Sequence, residues 1–95
     1  MAIVVMFEVE GATAAKYEEV IRRLTAIGER VPDGQRYHVC YGDCDHLQVI
    51  DIFESQAQLD RFGARLMPIL QDVGITAEAS VFDVYNIIEG SREAA

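Results

Sequence analysis

The chain has 95 residues, 51% of them apolar, with 16 acidic against 8 basic side chains and a formal charge of −8. One domain fits that length, and half the residues being apolar excludes a disordered chain. The acidic balance excludes nucleic acid and anionic membrane surfaces as partners, because both need a basic face.

A folded monomer of 10.6 kDa is expected to expose roughly 5,500 Å² of the roughly 15,000 Å² its unfolded chain offers. The core is therefore thin, and a second subunit is a natural way to thicken it. No apolar run nears the roughly 18 residues that span a bilayer. Residues 1–9 show neither the basic region nor the cleavage site of a secretory signal. The expected setting is cytoplasmic.

Six elements follow in chain order. Ala2 to Val9 (AIVVMFEV) is a near-continuous β-branched run, which predicts a central strand apolar on both faces. Thr13 is placed to cap a helix in which Tyr17, Val20, Ile21, Leu24 and Ile27 recur at helical spacing. Gly28 is placed to end it, and Glu29 to Gln35, with Pro32-Asp33-Gly34, is a loop.

Arg36 to Gly42 (RYHVCYG) and Leu47 to Glu54 (LQVIDIFE) read as a hairpin around a short polar turn. Ser55 and Gln58 form a capping box for a helix striped by Leu59, Phe62, Leu66, Ile69, Leu70 and Val73. Pro68 lies inside that helix and is expected to kink it near Ala64 and Arg65, and Gly74 closes it. Ala79 to Ile88 (ASVFDVYNII) is the predicted last strand.

The order β-α-β-β-α-β predicts an α+β, ferredoxin-like domain over residues 1–88, with residues 89–95 a C-terminal tail. It has a four-stranded antiparallel sheet with both helices on one face. The first strand is apolar on the uncovered side as well. That face calls for a partner, most simply a second copy of the same sheet in a homodimer.

The hairpin register carries the functional expectation. A two- or four-residue turn pairs Gly42 with Leu47 and sets His38 opposite Asp51. His38, Cys40, Val49, Asp51 and Phe53 then share one face, and Tyr37, Val39, Tyr41, Ile50 and Ile52 share the other. The second set is apolar enough to be expected under the helices. The first mixes imidazole, thiol and carboxylate with apolar neighbours, as a ligand cavity does.

His38 oriented by Asp51 is a candidate catalytic pair, a general base near neutral pH. The alternative is a structural histidine bonded across a hairpin. Cys40, Val49, Phe53 and Tyr85 are candidate substrate-binding residues. Tyr17 and Phe62 are expected in the core and Glu8 in solvent. Cys40 and Cys44, with three residues between them, do not match a zinc pattern, so no metal is expected. No phosphate loop, dinucleotide fingerprint or nucleophile elbow is present, and no cofactor is expected.

The segment YHVCYGDCDHLQVIDIFES, followed by a helix containing RLMPIL, resembles the dimeric α/β-barrel superfamily. Within it the likeness is to small proteins near the antibiotic-biosynthesis-monooxygenase group. The shared pattern is a strand with a central His (His38), a polar turn, then Val49, Ile50, Asp51, Ile52, Phe53, Glu54 and Ser55. The resemblance implies a homodimer through the sheet face and a pocket for a small hydrophobic or aromatic ligand. Some relatives oxygenate polyketide-type quinols without metal or flavin, while others degrade haem or isomerise lactones. The chain has Phe53 where many relatives have Trp, and no Trp of the kind haem-degrading members use. The implied activity is a cofactor-independent monooxygenase or related oxidoreductase or isomerase. The alternatives are a non-catalytic small-molecule-binding or stress-associated dimer and a purely structural module.

Overall fold

The computed structural model describes residues 1–91, so of the tail expected over 89–95, residues 92–95 lie outside the described residues. Its elements are β1 (Ile3–Glu10), α1 (Ala14–Ala26), β2 (Gln35–Asp43), β3 (His46–Phe53), α2 (Gln56–Val73) and β4 (Thr76–Asp83). The strands form one antiparallel sheet in the order β2-β3-β1-β4. This is the expected ferredoxin-like α+β arrangement, with β1 central as its double-sided apolar sequence requires.

The helix ends form where their capping residues stand. The Thr13 and Ser55 hydroxyls accept from the Lys16 and Gln58 amides, which satisfies donors the first helical turn leaves open. At the end of α1 the Gly28 amide donates to the Thr25 carbonyl and the Glu29 amide to the Leu24 carbonyl. That paired bonding needs a left-handed residue, and Gly28, at φ 78°, supplies it. Gly74 closes α2 in the same conformation. α2 runs unbroken across Pro68.

Ile3, Val5, Val20, Leu24, Phe53, Leu59, Phe62 and Leu70 form the core between the sheet and the helices. Phe53 and Val5 are fully buried. Phe53 stands 5.7 Å from Phe62, centroid to centroid. Arg23 pairs with Asp72 and ties α1 to α2.

The hairpin register is the expected one. Gly42 pairs with Leu47 and His38 with Asp51, around a two-residue turn of Cys44 and Asp45. Gly42 has φ 108°, and a Cβ there would stand 2.7 Å from the His46 carbonyl oxygen. The tight turn therefore needs glycine at this position.

The orientation of the faces is the reverse of the one expected. The face carrying Val49, Asp51 and Phe53 lies under the helices, and Asp51 and Phe53 are buried there. Tyr37, Val39 and Tyr41 are exposed on the open side. Alternation fixes which residues share a face but not which face meets the helices. Counting apolar residues misleads here because the open face is itself apolar.

The last strand also differs from the expectation of Ala79 to Ile88. β4 begins at Thr76 and stops at Asp83, which pairs with Ile3. One further bond, from the Val84 amide to the Ala2 carbonyl, lies just beyond the start of β1 at Ile3. An edge strand extends only as far as its neighbour, so residues 85–88 have no ladder to join.

Candidate functional site

A cavity of about 80 Å³ lies between the sheet and the helices. Phe7, Val9, Leu47 and Val49 contribute to its floor, and Val20, Leu24, Phe62 and Leu66 reach in from the helices. Its polar lining comes from Tyr17, His38 and Asp51, with Glu29, Arg30 and Gln35.

Adjacent strands set His38 and Asp51 side by side. The His38 Nδ1 atom stands 2.6 Å from Asp51 Oδ1. The Asp51 side chain is only 3% exposed and that of His38 28%. A carboxylate buried this deeply, in a sheet face otherwise made of valine, leucine and phenylalanine, is costly without a donor. His38 is the donor in place.

The other ring nitrogen, Nε2, stands 2.6 Å from the Tyr17 hydroxyl. With Asp51 as a carboxylate and His38 as a neutral imidazole, one set of proton positions satisfies both contacts. A carboxylate only accepts, so His38 Nδ1 carries hydrogen toward Asp51. In neutral imidazole Nε2 then holds a lone pair, and Tyr17 donates to it. The result is a directed chain from the Tyr17 O–H through His38 to the Asp51 carboxylate.

Tyr17 comes from the first turns of α1, a helix whose position Thr13 fixes. Burial raises the Tyr17 phenol above its usual value near 10, and the neighbouring Cys40 thiol adds to that rise. The phenol therefore stays protonated through the neutral range and serves as a hydrogen-bond donor. Burial also raises the Cys40 thiol, and its contact with the Tyr17 hydroxyl opposes that rise in part.

The expected site residues divide as follows. His38, Asp51 and Val49 meet at the cavity. Cys40 does not line the cavity; it neighbours the Tyr17 phenol. Phe53 does not line the cavity; it is fully buried core beneath it, packed on Phe62. Tyr85 is fully exposed and absent from the cavity wall, because β4 ends before it and no strand carries it there. Cys44 is an exposed free thiol. Among the described residues no group of three or more His, Cys, Asp or Glu side chains is placed to hold a metal ion.

Sequence reasoning missed two residues. It placed Tyr17 in the core by its helical spacing, although a buried tyrosine hydroxyl needs a partner, and that requirement was the available signal. Arg30, in the loop after α1, also lines the cavity and gave no periodic signal at all.

No protein-family model matches the sequence, and no curated protein is significantly similar to it. Solved structures do share the fold. SnoaB from Streptomyces nogalater, a cofactor-independent oxygenase, is 22% identical over 94% of this chain and 96% of its own, with a TM-score of 0.59. A candidate antibiotic biosynthesis monooxygenase from Deinococcus radiodurans is 13% identical over 97% and 100%, with a TM-score of 0.61. A conserved protein from Methanosarcina mazei is 15% identical over 86% and 91%, with a TM-score of 0.58.

Proposed function

We propose that the chain is a cofactor-independent, monooxygenase-like enzyme for a small fused-ring phenol or hydroquinone. The observation that carries this reading is the Tyr17–His38–Asp51 chain at the edge of an otherwise apolar cavity. The oxygenase activity of SnoaB, on the same fold, agrees with it.

The apolar walls hold the rings. The substrate hydroxyl gives its proton to the Tyr17 oxygen as Tyr17 passes its own to His38 Nε2. Tyr17 ends as a neutral phenol, His38 as an imidazolium, and Asp51 as the carboxylate that stabilises it. The aryloxide is electron-rich at its para carbon, where it attacks O2. The peroxide anion takes the imidazolium proton back through Tyr17, and loss of the ring hydrogen at that carbon as a proton expels hydroxide from the O–O bond, the two leaving as water. Phenol and O2 thus become quinone and water, with two electrons moving from the ring to each O2 beyond those of the new C–O bond.

Oxygen uptake with 1-naphthol, whose para position is free, tests this reading. Uptake above the protein-free rate, with 1,4-naphthoquinone formed, supports it. A rate equal to the protein-free rate over a panel of such phenols contradicts it, and saturable binding without uptake then identifies a non-catalytic binding protein.

The working unit in this reading is a homodimer closed through the open sheet face. Met6, Val39, Tyr41 and Phe82 are 47%, 49%, 45% and 55% exposed there. Together they make an apolar patch of a kind that monomers rarely leave uncovered, and a second copy offers a matching one across a two-fold axis. Sedimentation at micromolar concentration should give a dimer that Val39→Glu shifts to monomer. A wild-type monomer at that concentration contradicts the dimer.

A further inference from the structure

We propose that Arg30 selects ligands carrying an ionised acidic group, a carboxylate or an aryloxide, and holds that group at the edge of the cavity. This names the substrate class of the site just described and so rests on that reading.

The chain holds twice as many acidic as basic side chains, so an arginine without a carboxylate partner is unusual. Arg22 and Arg23 pair with Glu19, Arg36 with Glu54, Arg61 with Asp33 and Arg65 with Glu29. Lys16 donates to the Gly74 carbonyl. Among the described residues, Arg30 is the one basic side chain with neither an ion pair nor a hydrogen bond.

Its nearest sequence neighbour does not neutralise it. Glu29 also lines the cavity, but its carboxylate lies 3.2 Å from Arg65 Nη1. Arg65 on α2 thus removes the anion that would otherwise occupy Arg30 or repel an acidic ligand.

The position of Arg30 is also suited to the role. It lines the cavity, and its charge favours the ionised form of Tyr17, so its field reaches the proton chain. The same field stabilises an anion seated beside Tyr17. An acidic ligand would lay its rings on the apolar wall and bring its charge to Arg30, giving that guanidinium a partner.

Binding of 1-naphthoate and of 1-naphthamide to the full chain, measured by calorimetry, tests the assignment. The two probes share ring system and shape and differ in charge. Wild type should bind naphthoate about tenfold more tightly, as a charge-assisted contact implies. Raising the salt should narrow the gap. Arg30→Gln should abolish the preference, and Arg61→Gln, outside the cavity lining, should retain it.

Equal binding of the two probes by wild type overturns the proposal, as does a preference that survives Arg30→Gln. Absence of binding by both probes overturns it together with the cavity reading beneath it. A charge preference without oxygen uptake keeps the Arg30 assignment and defeats the catalytic reading alone.

Discussion

Replacing His38 with alanine should lower oxygen uptake on a fused-ring phenol by about 10²–10⁴-fold, the usual contribution of a positioned general base. The loss follows from the geometry, because Nε2 lies 2.6 Å from the Tyr17 hydroxyl and is the proton acceptor of the proposed mechanism. Alanine also strips the donor from a carboxylate that is 3% exposed. An unpaired buried charge commonly costs about 3–5 kcal/mol, enough to endanger the fold. His38→Gln separates the two effects, since its amide N–H can still reach Asp51 but offers no basic nitrogen. The glutamine variant should melt nearer to wild type than the alanine variant and be equally inactive. Uptake by a folded glutamine variant within a few-fold of wild type would remove His38 from the role.

Phe53→Ala should destabilise the chain by about 3–5 kcal/mol, measured by chemical denaturation at fixed protein concentration. The ring has no exposed surface. It packs on Phe62 of α2, so it joins the sheet to the helix that roofs the cavity. The residual space would be too large for its rigid strand neighbours to close. A domain of this length has a total stability of about 5–14 kcal/mol, so the variant would stand near the edge of folding. Phe53→Leu, which keeps most of the volume, should lose much less. A loss below about 1 kcal/mol for alanine would show that α2 is not seated on Phe53.

Much of this architecture was legible in the residues because local signals agreed with one another. The double-sided apolar run of β1, the Thr13 and Ser55 caps, and glycines at 28 and 74 each act over a few residues, and each element formed where those signals stand. The His38–Asp51 pairing was legible because a two-residue period and a short turn leave little freedom of register.

What was not legible depends on distant parts of the chain. Ile50 and Ile52 read as more buried than Asp51, yet Asp51 is the residue under the helices. A partnered polar pair can sit in a core, and an apolar face can await a second subunit, so hydropathy alone does not orient the sheet. Residues 85–88 have good strand composition but no partner strand to meet, which also displaced Tyr85 from the expected site. Ile75 and Ala77 alternate with Thr76 and Glu78 in the missed start of β4, but the alternation is short and its apolar members are small. The hydroxyl of Tyr17 finds its partner 21 residues along the chain, a distance at which spacing says nothing.

The charge of −8 takes on a more specific meaning once its pairing is traced. Among the described residues, carboxylates pair with every arginine but Arg30, which stands at the cavity. A strongly acidic surface repels anions at long range, so an acidic ligand gains its advantage only on reaching Arg30.

The most direct test of the proton chain is the tautomer of His38, read from the ring nitrogen shifts of ¹⁵N-histidine-labelled protein at mildly alkaline pH, where an imidazole is neutral. The expected result is a protonated Nδ1 and a bare Nε2, with the Nε2 signal moving in Tyr17→Phe as its donor is lost. A protonated Nε2 with a bare Nδ1, or an Nε2 signal indifferent to Tyr17→Phe, would contradict the chain and the role it gives His38.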